Sequence, residues 1–224
     1  MNESRIDRII DLLTDAYGFR EWRPDGEPLA MLVKTILSQN TSDTNSLRAY
    51  DSLIAAFPDW ESLAGAYAGD IADAIRGGGL ADIKAARIRQ VLAQIKQERG
   101  SYELDFLAEL PAAEAKAWLK QLPGVGAKTA SCVLLFSIGK PVMPVDTHVF
   151  RVSKRLGFVS AKESVERAHE ILESLVPRER TYQFHILVIE HGRRVCKAQR
   201  PRCAECVLCT LCPSCTYEGG EGEK

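Results

Sequence analysis

Apolar residues recur at helical spacing through most of this chain, and that periodicity limits the fold more than any other feature. Ile6, Ile9, Ile10, Leu13 and Tyr17 mark one amphipathic face, and Leu29, Leu32, Val33, Ile36 and Leu37 mark a second. Ile88, Val91, Leu92 and Ile95 trace a stripe on 82–99. Val165, Ala168, Leu172 and Leu175 do the same on 162–176, where Pro177 stops the helix. No run alternates apolar and polar residues between hairpin turns. The pattern predicts an all-α fold of about ten or eleven short helices.

Charge and hydropathy remove several classes of function. With 29 Lys+Arg against 30 Asp+Glu the net charge is −1, which excludes a uniformly basic coat for nucleic acid but allows a local patch. No apolar run approaches the roughly 18 residues of a membrane span; stretches such as Cys132–Phe136 and Ile186–Ile189 are core-sized. Met1–Thr14 is polar and charged, without a secretory h-region, so a cytoplasmic protein is expected. Breaks fall at Arg23–Pro28, Gly77–Gly79, Gly100 and Gly139–Pro144, the last being the best lobe boundary.

Six of the seven cysteines lie within Cys196–Cys215. A secreted disulfide framework would spread them along the chain, so a metal or iron–sulfur site is indicated instead. Cys203, Cys206, Cys209, Cys212 and Cys215 recur every third residue, and Cys196 precedes Cys203 by seven. Zinc sites usually take their Cys pairs from two separate knuckles; one compact segment suits a [4Fe–4S] cluster better. Spacing alone does not choose the four ligands. Cys132, inside an apolar run, reads as a small buried hydrophobe.

Leu122-Pro123-Gly124-Val125-Gly126-Ala127-Lys128-Thr129-Ala130 joins helical segments at about 112–121 and 127–138. Two glycines around one aliphatic residue permit a tight turn whose N–H groups, with the next helix's N-terminus, can hold a phosphate. An ordinary helix–helix turn is the plainer account of the same residues. Lys128 falls in the first turn of the second helix, where the helix dipole disfavours a cation; a partly neutral lysine there is a nucleophile. An exposed lysine stem is the alternative. Asp146 in Val145-Asp146-Thr147-His148 reads as an N-cap, and a carboxylate there could also move a proton or balance a cationic sugar.

LPGVGAKTA, VDTHVFR and Cys196-x6-Cys203-x2-Cys206-x5-Cys212 together resemble the endonuclease III family of helix–hairpin–helix DNA glycosylases, from about residue 5 to Cys212. The resemblance implies two helical lobes around a DNA-binding cleft. One spans 24–140 with the helix–hairpin–helix at about 112–138; the other joins 1–23 to 141–216 and carries the iron–sulfur loop, leaving 217–224 as a disordered tail. It selects Cys196, Cys203, Cys206 and Cys212 as ligands and leaves Cys209 and Cys215 as extras. It assigns Lys128 as the Schiff-base lysine and Asp146 as the catalytic aspartate of a bifunctional glycosylase and AP lyase.

The resemblance further implies that Asn40 fills the gap left by a flipped nucleotide and that Leu80 wedges into the duplex. Leu122, Gly124, Val125 and Gly126 would then lie against the DNA backbone. Arg193, Arg194, Lys197, Arg200 and Arg202 form a basic run around Cys196–Cys203 that could meet phosphates, or simply be solvated. His169, His185 and His191 read as structural. The expected protein is a monomer acting on oxidised pyrimidines in double-stranded DNA. A thymine or uracil mismatch glycosylase is the alternative enzyme, and a non-catalytic DNA-binding module the alternative class.

Overall fold

The computed structural model describes residues 4–216, so the tail expected at 217–224 lies outside the described residues. Among them eleven α-helices and short 3-10 and π turns make up the regular structure, with no strand. Two compact units emerge, residues 23–140 and residues 4–22 with 141–216. Among the described residues no helix is long and apolar enough to cross a membrane.

Residues 23–140 hold α2 (Pro28–Leu37), α3 (Asp43–Ala56), α4 (Trp60–Gly65), α5 (Ala68–Ala74), α6 (Ala81–Arg99), α7 (Ala112–Leu119) and α8 (Ala127–Val133). The α2 segment PLAMLVKTIL is apolar on nearly every side, and a helix of that kind must be enclosed. It packs against α3, α6 and α8 and buries every residue except Lys34. Ile88, Val91, Leu92 and Ile95 are the buried stripe of α6, as their spacing predicts. The helix expected over 127–138 is α only to Val133. Leu134–Ile138 forms a π turn, closed by left-handed Gly139 and by Lys140 N–H donating to Leu134 O at 2.9 Å.

The second unit is built from α1 (Arg5–Tyr17), α9 (Thr147–Arg155), α10 (Val165–Leu175) and α11 (Thr181–Arg194). Ser4 caps α1 by accepting from Asp7 N–H, and Ile6, Ile9, Ile10 and Leu13 are its buried face. That face packs on α11, which also packs on α9. After α11 regular structure nearly ceases. Residues 195–216 run through two 3-10 turns, Cys203–Glu205 and Cys209–Leu211, with Leu208 as their one buried apolar side chain.

Candidate functional site

The turn between α7 and α8 is fixed by two buried aliphatic side chains, Leu122 and Val125, and by a Val125 N–H to Leu122 O bond of 3.1 Å. Gly124 takes a left-handed backbone (φ +70°), and Gly126 is the N-cap of α8, with no side chain to satisfy the first-turn N–H groups. Lys128 is half-buried in that first turn, at the second position of the helix.

Two other loops of the same unit are tied to this turn and to each other by α6. Arg87 Nη1 donates to Gln39 Oε1 at 2.6 Å, and Gln39 Nε2 reaches Gly124 O at 3.5 Å. The Arg87 side chain lies so close over the hairpin that a Cβ on Gly124 would sit 2.1 Å from its Nε. One helical turn earlier, Lys84 is buried and donates to Leu37 O at 2.7 Å and Gly78 O at 2.9 Å. Burial pushes the Lys84 amine below the ordinary lysine value. Beyond Leu37 and Gly78 stand Asn40 and Leu80, both exposed and both left-handed, each with φ 52°.

In the other unit, Asp146 is the N-cap of α9, and its Oδ1 accepts from Val149 N–H at 2.7 Å. The strap leading to it is held from two helices. His169 Nδ1 meets Met143 O at 2.7 Å, His185 Nδ1 meets Pro144 O at 3.0 Å, and Met143 N–H donates to Glu173 Oε1 at 3.0 Å. Both rings hold carbonyls of the strap, in keeping with the structural reading of these histidines. His191 is buried between Tyr17 Oη (2.9 Å) and Cys206 Sγ (3.5 Å), and burial lowers its pKa to about 4.

Cys196, Cys203, Cys206 and Cys212 carry free thiols and line one pocket with Val152, Leu156 and Leu208. Cys209 and Cys215 form a disulfide, so the two cysteines left over by the resemblance are joined to each other. Arg155 Nη1 donates to Cys196 Sγ at 3.2 Å, and burial pushes the Cys206 and Cys212 thiols up. Among the described residues no group of three or more His, Cys, Asp or Glu is arranged around a single metal ion. Four soft sulfur donors around a partly apolar pocket fit a larger thiolate-bound group, whose positive charge would offset the cost of ionising buried thiols.

The loop is carried by arginines the sequence reading passed over. Arg5 donates to Leu156 O and Leu211 O, Arg151 to Gly192 O and Cys196 O, and Arg155 to Lys197 O and Ala198 O. All five residues of the basic run are exposed, and of them Arg194 pairs with Glu190 at 2.8 Å and Arg202 with Glu205 at 3.5 Å. Arg200 is left-handed, with φ 50°.

The fold is of the helix–hairpin–helix class. A family model described as "HhH-GPD superfamily base excision DNA repair protein" matches residues 33–178. Endonuclease III of Thermotoga maritima is 37% identical over 182 residues, covering 81% of each chain. A protein of Arabidopsis thaliana named for DNA glycosylase activity is 41% identical over 162 residues, covering 72% of this chain and 55% of its own length. A solved endonuclease III–DNA covalent intermediate superimposes with a TM-score of 0.81 at 29% identity, over 95% of this chain and 97% of that one. The chain belongs to this superfamily and, within it, to the endonuclease III family of DNA glycosylases and AP lyases.

Proposed function

We propose that this glycosylase and lyase removes oxidised pyrimidines from duplex DNA, with Lys128 as its nucleophile and Asp146 as its catalytic carboxylate. The damaged nucleotide leaves the stack, because C1′ is out of reach inside a duplex. The Lys128 amine displaces the base at C1′ and becomes a Schiff base. C2′ then loses a proton, and β-elimination breaks the strand 3′ to the abasic site. Asp146 takes the proton the amine must lose and balances positive charge on the sugar. A relative held as a covalent DNA intermediate supports the covalent route.

One observation carries the DNA side of this reading. Among the described residues, Asn40, Leu80 and Arg200 are the non-glycine residues with a left-handed backbone, and each falls on a segment read from sequence as meeting DNA. Such a conformation costs of order 1–3 kcal/mol and tends to persist where function requires it. Asn tolerates it locally, but a leucine does not, so Leu80 is the most informative of the three. On this reading Asn40 fills the vacated space, Leu80 wedges the duplex, and the 122–126 turn holds a phosphate. Arg193, Arg194, Lys197 and Arg200 meet further phosphates.

Cys196, Cys203, Cys206 and Cys212 would hold a [4Fe–4S] cluster. Such a group staples a loop that has little apolar core and adds a one-electron couple. The protein acts as a monomer in the cytoplasm, at the nucleoid. The reading is tested by incubating it with duplexes carrying thymine glycol, uracil, a G·T mismatch or an abasic site, with and without borohydride. Cleavage and a trapped adduct on thymine glycol and abasic DNA are expected. Activity confined to uracil or G·T duplexes would make it a mismatch glycosylase, and no adduct on any duplex would remove the Schiff-base route.

A further inference from the structure

Lys84 is 2% exposed, yet it stands in the first turn of α6, where the helix dipole disfavours a cation. Its neighbours on that face, Ala85, Ile88 and Val91, are apolar, so a leucine or methionine would fill the same space without the cost of burying a charge. Burial of apolar surface alone gives no reason for a lysine. The reason lies in what its ammonium touches. One bond goes to Leu37 O, an end-of-helix carbonyl that α2 leaves unpaired, and the other to Gly78 O. Three residues past the first carbonyl is Asn40, and two past the second is Leu80. The Gly78 turn is also pressed from behind, since a Cβ there would lie 2.9 Å from Ala49 Cβ.

We infer that Lys84 is a positioning residue for opening the duplex: it locks the Asn40 and Leu80 loops at one spacing, so that the two side chains enter the helix together. This rests on the assignment of Asn40 and Leu80 to the duplex-entering role. Two exposed side chains on strained backbones would otherwise be free to relax independently, and the cost of ordering them would be met at each encounter with DNA. A buried two-carbonyl clamp meets that cost during folding, and misplacing such groups by about 1 Å can cost on the order of 10²-fold in rate.

The test separates duplex opening from chemistry. AP lyase rates are measured for wild type, Lys84→Met, Lys84→Gln, Asn40→Ala and Leu80→Ala on one abasic site, placed either in a duplex or in a single strand that needs no opening. Lys84→Met is expected to lower kcat/KM on the duplex at least about tenfold and to change the single-strand rate less than about twofold. 2-Aminopurine beside the site should show a matching loss of unstacking. Leu80→Ala combined with Lys84→Met should lose little beyond the larger single effect, because the lysine acts through the loops. Equal losses on both substrates, or additive losses in the double variant, would overturn the proposal in favour of general damage to the fold. If Asn40→Ala and Leu80→Ala leave duplex cleavage unchanged, the duplex-entering assignment itself is wrong. If they slow it and Lys84→Met does not, only the positioning role fails. Should Lys84→Met not fold, the same comparison is read in Lys84→Gln, which keeps N–H donors on a shorter, uncharged stem.

Discussion

The loops around the hairpin and the cysteine loop solve the same problem with different means. Both must hold irregular backbone at a surface. In residues 23–140 the loops lean on a thick helical core, and two side chains of α6, Lys84 and Arg87, fix them from within. Residues 195–216 have no comparable core. Leu208 is their one buried apolar side chain, and Arg5, Arg151 and Arg155 reach in from neighbouring helices to satisfy carbonyls. A segment that buries so little apolar surface cannot offset the entropy of ordering its backbone, so it depends on a cross-link or bound group. The first region is held by the chain's own packing; the second fits a ligand-dependent staple.

The largest expected effect separates chemistry from both scaffolds. Lys128→Gln should abolish the borohydride adduct and β-elimination, while anisotropy shows DNA affinity little changed and the absorbance of the cysteine loop stays intact. Wild-type cleavage by this variant would mean that another amine is the nucleophile. Next, Asp146→Asn should slow single-turnover excision by about 10²–10⁴-fold. Its thermal unfolding should barely move, because an asparagine still caps α9.

The comparison is tested most directly at Cys212. Cys212→Ser should lose a broad absorbance near ~400 nm and unfold at a lower temperature, whereas Cys209→Ser should keep the colour. A colourless wild-type protein containing zinc would break the contrast between the regions. A smaller effect is expected at Gly124→Ala. That position is left-handed, which costs an ordinary residue about 1–2 kcal/mol, and the new methyl would meet Arg87. DNA binding should weaken by roughly tenfold, and adding Arg87→Ala should recover part of the loss.

The smallest effect is a pH slope. Lys84 has a folded pKa below its unfolded value near 10.5, so between the two the unfolded chain binds more protons, and stability rises with pH through that window. Denaturant titrations should show this rise in wild type relative to Lys84→Met, and equal slopes would show that the amine is not strained by burial.

Much of this architecture was legible from residue order because it rests on side-chain identity. The stripes of α1, α2 and α6, the stop at Pro177 and the Gly124–Gly126 turn are all written in which residue stands where. Of the stripe expected on α10 only Ala168 and Leu172 are buried, while Val165 and Leu175 at its two ends are exposed and His169 turns inward. What escaped rests on backbone carbonyls, which every residue carries alike. Lys84, Arg5, Arg151 and Arg155 each find carbonyl partners far along the chain, and no spacing announces them. Lys84 did leave a trace. It stands four residues before Ile88, on the apolar stripe itself, where a lysine should not be. The Cys209–Cys215 pairing was open for another reason, since a three-residue repeat offers several partners at similar separation.

The return of the first helix to the second unit has a consequence for synthesis. Ile6, Ile9, Ile10 and Leu13 of α1 find their cover on α11, which begins at Thr181. About 160 residues must be made between them, which at 5–20 residues per second takes roughly 8–30 s. Through that interval the whole of residues 23–140 can emerge and fold, while a sticky helix waits ahead of it with no partner. The ribosome therefore delivers residues 23–140 between the two parts of the other unit, and the cysteine loop closes on a helix made long before it.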